Sequence, residues 1–167
     1  MLRNGFEQEN DDDVCILQYG IRMACTGDLD ALYALMEKYY DYDCHDFDRK
    51  KAKKAMRKLL GNRKLGTVLL VLDGSSKPIG YLVLAFGYSL EFGGRDAFID
   101  EFFILQEYRG RKIGQAVLEH AHKVAKKAEV NALHLEVTRH NSAVIGFYRR
   151  NGFVDHDRYL MTKRTSP

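Results

Sequence analysis

Ile104-Leu105-Gln106-Glu107-Tyr108-Arg109-Gly110-Arg111-Lys112-Ile113-Gly114-Gln115 is the stretch on which the fold of this chain turns. It closes an apolar, aromatic run, passes through a basic glycine-bearing turn, and opens residues 112–128. There Ile113, Val117, Ala121, Val124 and Ala128 recur at helical spacing. The first turn of a helix leaves backbone N–H groups without partners, and its aligned peptide dipoles favour negative charge. Glycines let an anion approach the backbone, and Arg109, Arg111 and Lys112 add positive charge, so the turn reads as a diphosphate cradle. Its spacing is neither the GxxxxGK loop of nucleotide hydrolases nor the GxGxxG of dinucleotide-binding folds. Taken alone, it reads equally as a solvated basic turn.

Working outward, residues 16–23 have strand composition, and Thr26 offers an N-cap to a helix carrying Leu29, Leu32, Leu35, Met36 and Tyr39. An acidic stretch from Asp41 to Asp48 leads to a second helix with Ala52, Ala55, Met56, Leu59 and Leu60 on one face, stopped at Gly61-Asn62. Residues 67–72 form a continuous apolar run, the sign of a strand covered on both faces. A turn at residues 73–78 precedes strands over 79–88 and 97–105. Beyond the helix at 112–128, Leu133, Leu135 and Val137 alternate with polar residues. A short helix from Asn141 or Ser142 closes at Gly152, and residues 153–161 read as a last strand. The order β-α-α-β-β-β-α-β-α-β describes an α/β domain, a mixed central sheet with helices on both faces.

Composition bounds what this domain can be. Its 167 residues include 19 aromatics and two prolines, with 46% apolar residues, enough for one core but short for two full domains. The expected layout is a polar tail over residues 1–15 and one domain over 16–167. No apolar stretch is long enough to span a bilayer, and the acidic N-terminus lacks the apolar core of a signal peptide. Cys15, Cys25 and Cys44 are odd in number and lack CxxC spacing, which argues against a disulfide framework or a zinc site. The expected compartment is the cytoplasm, with no membrane partner. Nine of the 26 basic residues fall within residues 49–64, which hold no acid, so the rest of the chain carries 17 basic against 23 acidic groups. The basicity belongs to one helix face, and without interleaved aromatics it predicts no nucleic-acid partner.

A second signal is Asn141-Ser142-Ala143-Val144-Ile145-Gly146-Phe147-Tyr148-Arg149-Arg150-Asn151-Gly152-Phe153. By itself it reads as a helix face packing on a sheet. Together and in this order, the two segments resemble the GNAT superfamily of acyl-CoA-dependent N-acetyltransferases. That family opens the helix after its central strand with Gln or Arg, two residues, Gly, one residue, then Gly or Ala. Here the motif reads Arg109-Gly110-Arg111-Lys112-Ile113-Gly114, with Lys112 in place of the middle glycine. The downstream segment is similar to the family's stretch in which an asparagine contacts CoA and a tyrosine serves as general acid, positions that fall on Asn141 and Tyr148. Phe98-Ile99-Asp100-Glu101-Phe102-Phe103-Ile104 also resembles the corresponding strand of spermidine/spermine acetyltransferases.

The resemblance implies that acetyl-CoA is the cosubstrate, with no metal. Its pantetheine arm would pair with the backbone of Phe102, Phe103 and Ile104. Its diphosphate would lie on Gly110, Arg111, Lys112, Ile113, Gly114 and Gln115, beside Arg109. Direct acyl transfer needs a neutral amine, yet an alkylamine resembles lysine, with a pKa of about 10.4, so a carboxylate or water chain must take its proton. Asp100 and Glu101 are adjacent, hence expected on opposite strand faces, and the resemblance favours Asp100. Tyr148 would protonate the departing thiolate.

The expected acceptor is a small-molecule amine, with a polyamine or basic amino acid suggested by Asp41, Asp43, Asp46 and Asp48 among Tyr39, Tyr40, Tyr42 and His45. Rival readings are protein acetylation at an N-terminus or lysine, a CoA-binding sensor without turnover, and nucleic-acid binding through the basic helix. Oligomeric state stays open, a homodimer included.

Overall fold

The computed structural model describes residues 19–42 and 48–165. In chain order these form β1 (Tyr19–Met23), a 3-10 turn (Thr26–Asp28), α1 (Leu29–Tyr42), α2 (Arg49–Leu60), β2 (Gly66–Asp73), β3 (Pro78–Ser89) and β4 (Gly94–Ile104). A second 3-10 turn (Gln106–Tyr108), α3 (Ile113–Lys127), β5 (Ala132–Leu135) and α4 (Ser142–Arg150) follow. The chain gathers into two compact units, one through Glu136 and the other from Val137.

The first unit is built on a five-stranded sheet in the order β1-β2-β3-β4-β5. Neighbours are antiparallel except β4 and β5, which run parallel, so the sheet is mixed as expected. Val68, Leu69, Leu70 and Val71 on β2, and Tyr81, Leu82, Val83 and Leu84 on β3, are all buried. Consecutive strand residues point to opposite faces, so both faces of the centre are covered. The cover comes from α1 and α2, which pack on each other and on β3 and β2, and from α3, which packs on β1, β2 and β3. Burying one such leucine stabilises the fold by about 1.5–3 kcal/mol.

Local chemistry sets the ends of these elements. Asp73 Oδ1 accepts from the N–H groups of Ser75 and Lys77, both at 2.9 Å, which closes the β2–β3 hairpin. Gly80 is required on β3, because a Cβ there would lie 2.6 Å from the carbonyl oxygen of Phe103. Thr26 does not cap α1. Instead the Asp28 carboxylate reaches back to accept from the Cys25 N–H at 2.8 Å, held there by Arg22 at 2.7 Å through each nitrogen. A carboxylate tied to a guanidinium outcompetes a threonine hydroxyl for that role. The residues forward of Tyr19, including the tail and the start of the expected first strand, lie outside the described residues, as do Asp43, Cys44, His45 and Asp46.

The second unit carries α4, capped at Asn141, whose side chain accepts from the Val144 N–H at 3.2 Å. The helix closes at Gly152, with φ +86°, as the Gly152 and Phe153 N–H groups return to the carbonyls of Arg149 and Tyr148 at 3.1 Å each. The expected strand over residues 153–161 does not form; that part of the sequence reading is corrected. Within this segment Arg149 Nε donates to Asp155 Oδ1 at 3.1 Å and the Arg139 guanidinium sits 4.8 Å from the Tyr159 ring. Val154, Tyr159, Leu160 and Met161 stay exposed, and without ladder hydrogen bonds the segment is no strand.

Candidate active site

Strand β4 carries the site. It pairs with β5 only over Asp96 to Ile99, while on its other side it follows β3 to Ile104. The segment holding Phe102, Phe103 and Ile104 therefore has one strand neighbour among the described residues, and on its second edge the Ile104 carbonyl is met by the Arg109 side chain. Across from Leu84 and Val83 the register jumps from Ile99 to Glu101, which makes Asp100 the extra residue of a β-bulge. The bulge breaks the simple alternation and gives the two neighbouring carboxylates different surroundings. Asp100 is exposed as a residue, and partial desolvation of its carboxyl raises it above the ordinary aspartate range.

Glu101 is half-buried and held at both oxygens. The Tyr40 phenol of α1 donates to Oε1 and the Tyr81 phenol of β3 donates to Oε2, each at 2.8 Å. Burial raises the Glu101 carboxyl above the ordinary glutamate range, the two phenols pull it down, and Asp100 adds a small upward push. Both phenols are in turn driven well above the usual tyrosine range by burial and by the carboxylate they serve. Phe103 lies among these rings, 5.8 Å from Tyr39 and 6.4 Å from Tyr81.

Past Ile104 the chain makes the basic turn. Arg109 Nε donates to the Ile104 carbonyl at 2.8 Å, and its guanidinium stacks 4.4 Å from the Tyr42 ring and 5.6 Å from that of Phe103. Tyr108 donates to Asp73 Oδ2 at 3.0 Å, bracing the turn against the β2–β3 hairpin. Gly110 has φ +77°, and a Cβ there would meet nothing within 4 Å, so the backbone is open to an incoming group. Lys112, standing where the resembling family has its middle glycine, takes φ +59°, the left-handed conformation that glycine adopts most readily. No side chain caps α3. Its first helical bond runs from the Ala116 N–H to the Lys112 carbonyl at 3.2 Å, so the N–H groups of Ile113, Gly114 and Gln115 precede it.

A family model described as the acetyltransferase (GNAT) family matches residues 29–153, three-quarters of the chain. The chain belongs to the GNAT acetyltransferase family. An uncharacterized N-acetyltransferase of Methanocaldococcus jannaschii is 31% identical over 144 residues, 85% of this chain and 63% of the relative. This chain thus spans under two-thirds of that protein. An integron cassette protein from the mobile metagenome of Cole Harbour Salt Marsh is 32% identical, with a TM-score of 0.78 over 88% of this chain and 91% of that one. A predicted acetyltransferase of Clostridium acetobutylicum, solved with acetyl-CoA, shares the fold at 18% identity, with a TM-score of 0.73 over 87% and 96% of the two chains.

Within this GNAT chain the first unit brings Tyr40, Tyr81, Glu101, Phe103 and Arg109 together, followed by the turn from Gly110 to Gln115. Asn141 and Tyr148 lie on α4 of the second unit, where Tyr148 packs between the rings of Phe147 at 5.3 Å and Phe153 at 5.5 Å. Burial pushes its phenol up to about 12. Asn141 spends its side-chain oxygen on the helix cap. Sequence reasoning missed Tyr81 as a partner of Glu101, although a lone phenol inside a buried apolar strand signals a polar contact. The basic helix lines a groove of about 460 Å3 with Lys50, Lys53, Lys54, Arg57 and Lys58, none of them near-neighbours in sequence of the residues above.

Proposed function

We propose that the chain is an N-acetyltransferase moving an acetyl group from acetyl-CoA to the primary amine of a small cationic molecule, a polyamine or basic amino acid, in the cytoplasm. The observation that carries this reading is a desolvated, doubly hydrogen-bonded Glu101 on β4, followed within a dozen residues by an uncapped helix start. Acetyl-CoA supplies the acyl group as a thioester, whose C–S bond breaks as the new C–N bond forms. The N–H groups of Ile113, Gly114 and Gln115 hold its diphosphate, with Gly110 giving access and Arg109, Arg111 and Lys112 giving charge. The edge of Phe102, Phe103 and Ile104 that no second strand among the described residues covers orients the pantetheine arm.

Glu101 takes the proton of the acceptor's ammonium, in preference to the exposed Asp100. Burial brings its affinity for a proton closer to that of an amine than a solvated glutamate could. Two adjacent carboxylates, one half-buried and one exposed, near the Tyr39, Tyr40 and Phe103 rings suit a cationic acceptor. Tyr148 keeps its proton at neutral pH. With a phenol near 12 against a thiol near 8.5, complete transfer is uphill by about 5 kcal/mol, so Tyr148 stabilises the departing sulfur chiefly as a hydrogen-bond donor.

Thiol release with spermidine, lysine and a neutral amine tests the reading. Glu101→Gln should lose activity on the order of 100- to 10,000-fold, Asp100→Asn far less, and Tyr148→Phe should lower kcat while sparing acetyl-CoA affinity. Wild-type turnover in a folded Glu101→Gln protein would reject the assignment. Because the carboxylate is the working form, kcat/KM should fall as pH drops through the raised pKa of Glu101.

A further inference from the structure

We propose that Tyr40 and Tyr81 are positioning residues that clamp the Glu101 carboxylate in one rotamer, keep it ionised, and leave one lone pair on each oxygen for the acceptor. This rests on the assignment of Glu101 as proton acceptor and deepens it.

The clamp comes from two elements far apart in sequence. Tyr40 arrives on the last turn of α1, Tyr81 from the first half of β3, and their hydroxyls meet the two oxygens of one carboxylate at 2.8 Å each. An ionised carboxylate offers about four lone-pair sites, so two phenols fill half of them. Bonds of this kind are charge-assisted and fix the carboxylate plane as well as its charge. The groups acting on Glu101 from the elements around it are Tyr40 of α1, Tyr81 of β3 and Asp100 of its own strand, with Tyr39 acting in turn on both phenols. The two phenols stabilise the charged form, while burial and Asp100 oppose it. Burial prevails even with the clamp in place, and without the two donors the carboxyl would be pushed higher still.

The two arms are unequal. Tyr81 is wholly excluded from solvent, so no water can replace its hydroxyl, whereas Tyr40 is only half-buried. Tyr81→Phe should therefore leave Oε2 without a donor, and Tyr40→Phe should let water in at Oε1.

The experiment is a direct titration of Glu101 by carboxyl-carbon NMR on the full chain, free of substrates, in wild type, Tyr40→Phe and Tyr81→Phe. The same variants are then run through a pH profile of kcat/KM with acetyl-CoA and spermidine. A hydrogen bond to a charged group predicts an upward pKa shift of about one to two units for Tyr81→Phe and a smaller one for Tyr40→Phe. The acidic limb of the profile should move by the same amount, with activity regained at higher pH. An unchanged or lowered Glu101 pKa in the folded variants would overturn the clamp. If Tyr81→Phe fails to fold, Tyr40→Phe decides alone. A shifted NMR pKa with an unmoved kinetic limb would uphold the clamp and reject Glu101 as the base, so the two failures are distinguishable.

Discussion

The helices of this chain begin in two ways. At α2 the Asp48 carboxylate accepts from the Lys51 N–H at 3.0 Å, and at α4 the Asn141 amide oxygen accepts from the Val144 N–H at 3.2 Å. The 3-10 turn before α1 is closed by Asp28 in the same spirit. Helix α3 begins at a left-handed lysine with no capping side chain, after a glycine whose surroundings are open. All these starts share the same peptide dipole and the same orphan donors. A side chain that caps a helix satisfies those donors internally and stabilises the fold. An uncapped start forgoes that stabilisation, about 1 kcal/mol, and keeps its donors for an anion from outside. The difference separates helix starts spent on the fold from the one start left open for the proposed cosubstrate.

The comparison breaks most visibly at Gly114. Gly114→Glu puts a carboxylate on the first turn of α3, where it complements the dipole yet occupies and repels the proposed diphosphate position. At an effective dielectric typical of a protein surface, a like charge within about 4 Å costs up to about 4 kcal/mol. Affinity for CoA should drop on the order of 100-fold, while thermal stability holds or rises slightly. Calorimetry showing undiminished CoA binding in the folded variant would make α3 an ordinary solvated helix start.

Asp48→Ala sharpens the comparison from the other side. Removing a working cap should cost about 1 kcal/mol of unfolding free energy by denaturant titration, with CoA affinity unchanged. A CoA affinity that falls along with stability would mean that the two kinds of helix start are energetically coupled, and the division between them would fail.

The contrast also shows where the sequence was readable. The β4–turn–α3 passage was legible because its signals are local: an apolar run, glycines at fixed spacing and helical periodicity follow one another within a few residues. The start of α4 at Asn141 was legible for the same reason, since a cap is a contact across three residues, whereas Thr26 was displaced by the charged Arg22–Asp28 pair. The continuous run on β2 announced its two covered faces. What the sequence hid depends on distant partners. Tyr81 lies 20 residues from Glu101 and Tyr40 lies 61 away, and only the pairing of β3 with β4 and the packing of α1 bring them together. The bulge at Asp100 is a property of two strands in register, invisible in either alone. The missing last strand teaches the same point in reverse. Residues 153–161 have suitable composition, but no ladder bond forms there, and Asp155 and Tyr159 meet Arg149 and Arg139 instead.

The smallest effect concerns the charged closure before α1. Asp28 accepts from Arg22 through both oxygens at 2.7 Å and from the Cys25 N–H, and these bonds hold its carboxyl well below the usual aspartate range. Its folded pKa lies below its unfolded value, so the native state binds fewer protons than the unfolded chain in that interval. The stabilisation is therefore fully present above about pH 4, the ordinary aspartate range, and is lost as pH falls through the depressed folded pKa. Arg22 is nearly half exposed, at 46% of its side chain, so solvent screens part of the interaction and its salt dependence should be visible. Asp28→Asn removes the titration while keeping an oxygen for Cys25. Denaturant unfolding at neutral pH should show the variant less stable than wild type, by about 1 kcal/mol or less. The gap should narrow progressively as pH falls below about 4, and narrow in high salt. A gap that persists unchanged at low pH would assign the loss to packing, and Asp28 would then close the turn by shape and hydrogen bonding rather than by charge.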